Sequence, residues 1–178
     1  MVVVDNCILS SLAKIDRLDL LRKFFKNIET PFSVLRELQE EKLRGFEFVK
    51  RIEKITTFSE KKLSKERWLL ITPLNDLEIK LSNEIKLQTQ VSEVDADTIA
   101  IAKNRNKILL TDDTYAGNIA QQRGVKVFDL KTFLEACVID GLIKTSNEIK
   151  QIISALKKKD FYEFSEEDKY ELLSLFEK

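Results

Sequence analysis

A parallel α/β architecture, with helices covering both faces of one sheet, follows from three features of the chain. The first is a wholly apolar, β-branched run from Val2 to Val4 that stops at Asp5-Asn6, as a central parallel strand buried on both faces reads. The second is the alternation of short apolar runs with helical spacings from Lys107 to Val138, which implies right-handed βαβ units. The third is composition. Only four glycines and two prolines punctuate 178 residues rich in Lys, Glu, Leu and Ile, which disfavours a turn-rich all-β fold and predicts a helix-rich one.

The elements follow in order. After the strand at Val2 to Val4, Ile8, Leu9, Leu12, Ala13 and Ile15 mark the apolar face of a first helix. Leu18, Leu20, Leu21, Phe24 and Phe25 mark that of a second, ending near Asn27. Ile28 to Thr30 reads as another short strand. Thr30-Pro31 opens a helix with proline in its first turn, where Val34, Leu35 and Leu38 give helical spacing around Glu37. From Glu40 to Arg67 nine basic residues stand against six acidic ones, interleaved with Phe46, Phe48 and Phe58, and no period dominates. Trp68 to Thr72 reads as a strand or an extended connection into Pro73, and Leu77, Ile79, Leu81, Ile85 and Leu87 as a helix. Ser92 opens a helix through Ile99 to Ala102 that is apolar nearly all round and therefore predicted to be buried. Lys107 to Thr111 is strand, Thr114 to Arg123 helix, Gly124 a terminator, Val125 to Phe128 strand and Leu130 to Val138 helix. Beyond Gly141 come two amphipathic helices, Ser146 to Lys157 and Glu166 to Phe176. Residues 1–143 thus read as one domain, and 144–178 as a helical extension packed on it or at an interface.

Composition removes several chemistries. The chain has no histidine, so a histidine-ligated zinc site and a Ser/His/Asp triad are both excluded. Its two cysteines, Cys7 and Cys137, have no metal-like spacing and sit among apolar neighbours, so they read as reduced core residues, and a zinc ribbon is ruled out. Thirty basic and thirty acidic side chains cancel, which neither requires nor excludes nucleic acid as a partner. No apolar run approaches membrane-spanning length, and the first residues lack the basic flank and apolar stretch of a signal peptide, so the expected location is cytoplasmic.

What remains is oxygen chemistry. Four segments bring a carboxylate to a strand end or a helix start: Val4-Asp5, Leu35-Arg36-Glu37, Ser92-Glu93-Val94-Asp95 and Thr111-Asp112-Asp113. In an open parallel sheet ligands gather at the carboxyl ends of the strands, where Asp5 and Asp112-Asp113 both fall. Carboxylates crowded there repel one another unless protonated or neutralised, and Mg²⁺ or Mn²⁺ supplies that neutralisation with hard oxygen ligands. Each acid also has a structural reading: Asp95 can complete a Ser-x-x-acid capping box, Asp112 or Asp113 can cap the next helix, and Glu37 can lie on a solvated helix face beside Glu40 and Glu41. Asp95 and Asp97, two apart on a helix, cannot serve one ion equally; Asp95 is preferred, with Asp97 second. Asp112 and Asp113 diverge likewise, and Asp113 is taken as the ligand, leaving the cap to its neighbour.

These residues resemble PIN-domain ribonucleases. The resemblance rests on Val2-Val3-Val4-Asp5, on Thr30-Pro31-Phe32-Ser33-Val34-Leu35-Arg36-Glu37-Leu38, on Ser92-Glu93-Val94-Asp95-Ala96 with Ile99-Ala100 following, and on Leu109-Leu110-Thr111-Asp112-Asp113 with Ala120 and Gly124-Val125 beyond. It covers roughly Val2 to Ile143. It implies a sheet sandwiched by helices and an Mg²⁺ or Mn²⁺ site that hydrolyses RNA. Asp5, Glu37, Asp95 and Asp113 match the family's acidic quartet, and Thr111 a supporting hydroxyl residue. The chain departs from the pattern after the first acid, where many members carry Ser or Thr and it has Asn6 and Cys7; Asn6 is the residue suited to a replacement hydrogen bond.

The resemblance makes a metal-dependent endoribonuclease the expected activity, with the toxin of a toxin–antitoxin pair as precedent and an RNA-processing nuclease outside such pairs as another. A module of this fold that binds RNA or protein without cutting is the rival from a different class. A receiver-type phosphorylated domain fails because the acid pair comes late and Lys131 precedes Thr132 where that class has Lys-Pro. A phosphatase of the Asp-x-Asp type fails because Cys7 stands where the second Asp is needed. RNA is the expected partner, with a protein antitoxin and a second copy of the chain as further candidates. Lys50, Arg51, Lys54, Lys61, Lys62, Lys65 and Arg67 form the candidate RNA patch, extended by Lys103, Arg105 and Lys107. The last nineteen residues, with seven acids against two lysines, would repel a phosphate backbone.

Overall fold

Consecutive strand residues point to opposite faces of a sheet, and the first strand, β1 (Val2–Val4), shows what that demands: Val2 and Val4 enter one hydrophobic cluster and Val3 another, all three fully buried. The computed structural model describes residues 2–177. On one face lie α1 (Asn6–Lys14), α2 (Asp19–Phe24), α3 (Phe32–Leu43), α4 (Val49–Ile55), α8 (Leu130–Ile139), α9 (Ser146–Asp160) and α10 (Glu166–Ser174). On the other lie α5 (Asp76–Gln88), α6 (Glu93–Asn104) and α7 (Thr114–Gln122). The remaining strands are β2 (Ile28–Pro31), β3 (Thr56–Thr57), β4 (Leu69–Thr72), β5 (Ile108–Leu110) and β6 (Val127–Phe128). All pairings are parallel, in the order β3-β4-β2-β1-β5-β6.

That order has one reversal. The chain leaves β1 toward β2 and the β3 edge, comes back to insert β4 between β3 and β2, and then lays β5 on the other side of β1, so that β1 and β5 send their connections in opposite directions. Helices leaving β1 and β5 therefore depart to opposite faces, and a crevice opens between their carboxyl ends. Register fixes its floor: Val4 pairs with Leu110, and the Asp5 N–H donates to the Leu110 carbonyl at 3.1 Å.

Several boundaries differ from the sequence expectation, each for a local reason. The second helix ends at Phe24, because Phe25 turns to an extended backbone while its N–H closes the last bond to Leu21. Pro31 is the last residue of β2 and the cap position of α3, so it precedes the first turn instead of lying in it. The strand foreseen at Val125 to Phe128 pairs only at Val127–Phe128. The aperiodic stretch from Glu40 to Arg67 resolves into the last residues of α3, then α4, the two-residue β3 and one 3-10 turn at Glu60–Lys62, pieces too short to leave a hydrophobic period. Cys137 is buried, but Cys7 is exposed, in the first turn of α1, and is not a core residue.

The C-terminal helices share the core. Ile149, Ile152 and Leu156 of α9, Phe164 of the connection and Leu172 of α10 lie in the same cluster as the α1 and α2 side chains, each at most 5% exposed. At roughly 1.5–3 kcal/mol per buried side chain of this kind, that face is a large share of the fold's stability. Between the two helices, α9 ends because Phe161 adopts a left-handed conformation, φ 57°, and the Tyr162 N–H bonds back to the Leu156 carbonyl at 3.3 Å. Among the described residues, no helix is long and apolar enough to cross a membrane.

Candidate functional site

The crevice between β1 and β5 is an open cleft of about 580 Å³, lined by Asp5, Glu37, Glu41, Asp95, Asp112, Asp113 and Asp160. Seven carboxylates thus share a cleft in which Lys14 is the single basic side chain among the lining residues. Asp5 is the deepest, 2% exposed. One of its oxygens, Oδ1, accepts from the Ile8 N–H at 3.0 Å and so caps α1; the other, Oδ2, accepts from the Thr111 hydroxyl at 2.5 Å. The Thr111 hydroxyl in turn accepts from the Asp113 N–H at 3.2 Å, which fixes the direction of its proton toward Asp5. Burial pushes the Asp5 carboxyl up to about 7, against the opposing pull of these two donors, and the nearby Asp112 and Asp95 carboxylates add to the rise.

The other predicted acids reach the cleft by different routes. Glu37, half-buried on α3, accepts from the Asn6 side-chain amide at 3.2 Å; burial raises its pKa, Asn6 opposes, and Asp95 and Glu41 raise it further. Asn6 also donates to Glu41 at 3.3 Å, so it ties α1 to α3 at the rim. Asp95 lies in the first turn of α6, where its N–H donates to Ser92 Oγ at 3.0 Å and its carboxylate accepts from the same hydroxyl at 2.7 Å. Asp97 faces elsewhere, accepting from Ser33 and Ser82, both at 2.7 Å, in the seam between α3 and α5. At the end of β5 the cap of α7 is Asp113, whose Oδ1 accepts from the Ala116 N–H at 2.7 Å. The capping part assigned above to Asp112 therefore belongs to Asp113, because Asp112 turns away to accept from the Leu130 N–H at 2.9 Å, one residue into α8. Burial raises the Asp112 pKa, while Leu130 and the Tyr162 hydroxyl favour its charge.

The quartet Asp5, Glu37, Asp95 and Asp113 is chemically the donor set of a hard divalent cation, carboxylate oxygens without nitrogen or thiolate, and at Asp5 and Glu37 burial favours the protonated form until a neutralising charge arrives. The Cys7 thiol is no competitor, since desolvation and the Asp5 and Asp95 carboxylates push its pKa up and suppress the thiolate. Side-chain placement is looser than the chemistry. Among the described residues, no three Asp, Glu or Cys side chains are gathered closely enough to hold an ion as they stand. Asp5, Asp95 and Asp113 each spend hydrogen-bonding capacity at a helix start, although a carboxylate oxygen keeps further lone pairs after one such bond.

The basic residues fall into two sets. None of Lys50, Arg51, Lys54, Lys61, Lys62, Lys65 and Arg67 lines the cleft, although all seven are exposed. Arg51 donates to the Ala13 carbonyl at 2.5 Å, and Lys50 pairs with Glu47 at 2.7 Å. Arg105 and Lys107 are not available to a ligand. Arg105 binds Glu78 at 2.7 Å, Glu29 at 2.9 Å and Thr72 at 2.8 Å, and Lys107 pairs with Glu29. Burial works against charge on fully buried Glu78, yet Arg105, the Asn75 N–H and Asn104 hold it below the usual carboxylate range. This network braces the sheet behind the cleft.

Five contributors escaped the sequence reading. Glu41 follows Glu37 by one helical turn, so the i, i+4 spacing was a signal that both share a face. Ser10 and Lys14 repeat the same spacing from Asn6 along α1, and a polar stripe is visible there in retrospect. Tyr162 and Asp160 had no local signal. They arrive because α9 stops at Phe161: Asp160 accepts from Ser11 at 2.5 Å and Lys14 at 2.6 Å, and Tyr162 faces Asp112. Against known proteins, a family model described as a PIN domain matches residues 1–178, the whole chain. No curated protein matches the chain.

Proposed function

The chain belongs to the PIN-domain family, whose fold is of the nuclease type, and from that membership we propose that it is a metal-dependent endoribonuclease whose site is the carboxylate cleft between β1 and β5. The observation that carries the reading is the charge imbalance: seven carboxylates and one ammonium line one cleft at the reversal point of a parallel sheet, with the deepest acid pushed up to about 7. Asp5, Glu37, Asp95 and Asp113 would hold Mg²⁺ or Mn²⁺. Bound there, the ion supplies an oriented water and charge stabilisation at the attacked phosphate.

The chain's own residues set the stage. Asp5 is held from two sides, by the Ile8 N–H and by the Thr111 hydroxyl, so its free lone pairs have a fixed direction. Asn6 orients Glu37 and Glu41. Lys14 stands nine residues along α1 from Asp5, about 13 Å at the helical rise, and is held by Asp160 at 2.6 Å, a partner it would exchange for a phosphate farther along a single strand than the one attacked. The exposed surface of Lys54, Lys61, Lys62, Lys65 and Arg67 is the proposed outer track for RNA, and steep weakening of binding with salt is its signature.

Asp5→Asn tests the reading with little disturbance, because Asn also caps helices and can still accept from Ile8. Cleavage of single-stranded RNA with Mn²⁺ should fall on the order of 100-fold or more while the fold persists. Wild-type rates in Asp5→Asn would remove the assignment. A second reading draws on the looseness of the acids, no three of which are gathered about an ion position among the described residues: a module of the same fold that binds without cutting. Millimolar Mn²⁺ separates the two. A raised melting temperature accompanies a metal site by linkage, and a flat one favours the binder.

A further inference from the structure

Behind Asp112, Asp113 and Tyr162 lies a second cavity, of about 380 Å³, which shares those three residues with the carboxylate cleft. Its volume is at the lower end of the small-molecule range. Its wall has no lysine or arginine, but it has the carboxylates of Asp112, Asp113 and Asp129. A phosphate is therefore repelled, and a group rich in N–H donors is favoured. Asn118 and Gln121 project from one face of α7, three residues apart, and make no side-chain hydrogen bond among the described residues. Each amide offers a donor and an acceptor together, the pattern that reads the edge of a base. Tyr162, half-buried and held edge-on by the Phe164 ring at 4.8 Å between centroids, supplies an aromatic surface at the partition between the two spaces.

We propose that this cavity is a nucleobase subsite that prefers bases bearing an exocyclic amino group over uracil. The selectivity follows from the wall. Carboxylate oxygens accept from the amino groups of cytosine, adenine and guanine, whereas uracil has no amino group, turns carbonyl oxygens at C2 and C4 toward the negative charge and keeps N3–H as its single donor on that edge. The inference deepens the nuclease reading and rests on it in one respect: the base is that of a nucleotide whose backbone runs past Asp112 and Asp113 in the neighbouring cleft.

The test needs no metal and no cleavage. The side-chain amide signals of Asn118 and Gln121 in ¹⁵N spectra of the whole chain are followed during titration with CMP, AMP, GMP, UMP and ribose 5-phosphate. The amino-bearing nucleotides should shift both amides saturably, UMP about tenfold more weakly, as the loss of one charge-assisted hydrogen bond implies, and ribose 5-phosphate not at all. Asn118→Ala with Gln121→Ala should remove the difference between bases while leaving any Mn²⁺-induced thermal shift of the cleft in place. Equal response to all four nucleotides, or an equal response to ribose 5-phosphate, overturns the subsite. A wild-type chain that cleaves no RNA with Mn²⁺ overturns the nuclease reading instead, and the amide shifts still decide whether the cavity takes a base.

Discussion

Asp5 serves two purposes that pull against each other. As the cap of α1 and the acceptor of the Thr111 hydroxyl it stabilises the meeting of β1 and β5, while as a buried carboxyl among other carboxylates it resists ionisation. A pKa raised from 3.8 to about 7 corresponds to about 4 kcal/mol. Between these values the folded chain retains a proton that the unfolded chain has released, so the contribution is fully present below the unfolded pKa and is lost as pH rises through about 7. Metal-free protein should therefore lose stability from pH 4 to pH 7 in urea unfolding, with Asp112 and Glu37 adding in the same direction. Asp5→Asn should flatten much of that slope; a variant with the wild-type slope would show that Asp5 is already ionised at low pH. This residue was legible in the sequence because a strand end followed by an acid is a local pattern. Glu41 was harder: its charge was visible, but only the packing of α1 against α3 turns it toward Asn6 rather than solvent.

Among the elements, the α9–α10 corner departs most from what local rules favour. Phe161 occupies a position where glycine is the usual residue, at φ 57° and 88% exposed, so it bears the cost of left-handed backbone without burying its ring. Phe161→Gly should raise stability by up to about 1 kcal/mol, read as a higher urea midpoint at constant slope. A drop in the midpoint would mean that the ring contributes packing the corner requires. The helices α1, α8 and α9 could be read directly from their apolar spacing, and α6 from being apolar nearly all round, because packing and sequence agree there. The two-residue strand β3 could not, and β6 only as the longer run Val125 to Phe128: pairing, not side-chain alternation, sets their extent, and pairing depends on residues far away in sequence. The same holds for Asp160 and Tyr162, which the corner delivers to a cleft built from the other end of the chain.

The whole molecule is one parallel sheet with two buried layers, and the family match spans it end to end. Since α9 and α10 share a cluster with α1 and α2, ending the chain at Ile143 should expose Ile8, Leu12 and their neighbours and abolish cooperative thermal unfolding; a truncated chain that melts as sharply as the full one would show that the first layer closes without them. Sheet order, not any motif, decides where the acids meet, and order is the property least accessible to reading along a chain. Both outermost strands, Thr56–Thr57 and Val127–Phe128, offer only two residues of ladder apiece. So little free backbone gives another polypeptide almost no template for extending the sheet, which is a common protection against edge-to-edge aggregation. A second copy of this chain, or any protein that grips it, must therefore be met by helical side chains, and the strands stay private to the fold.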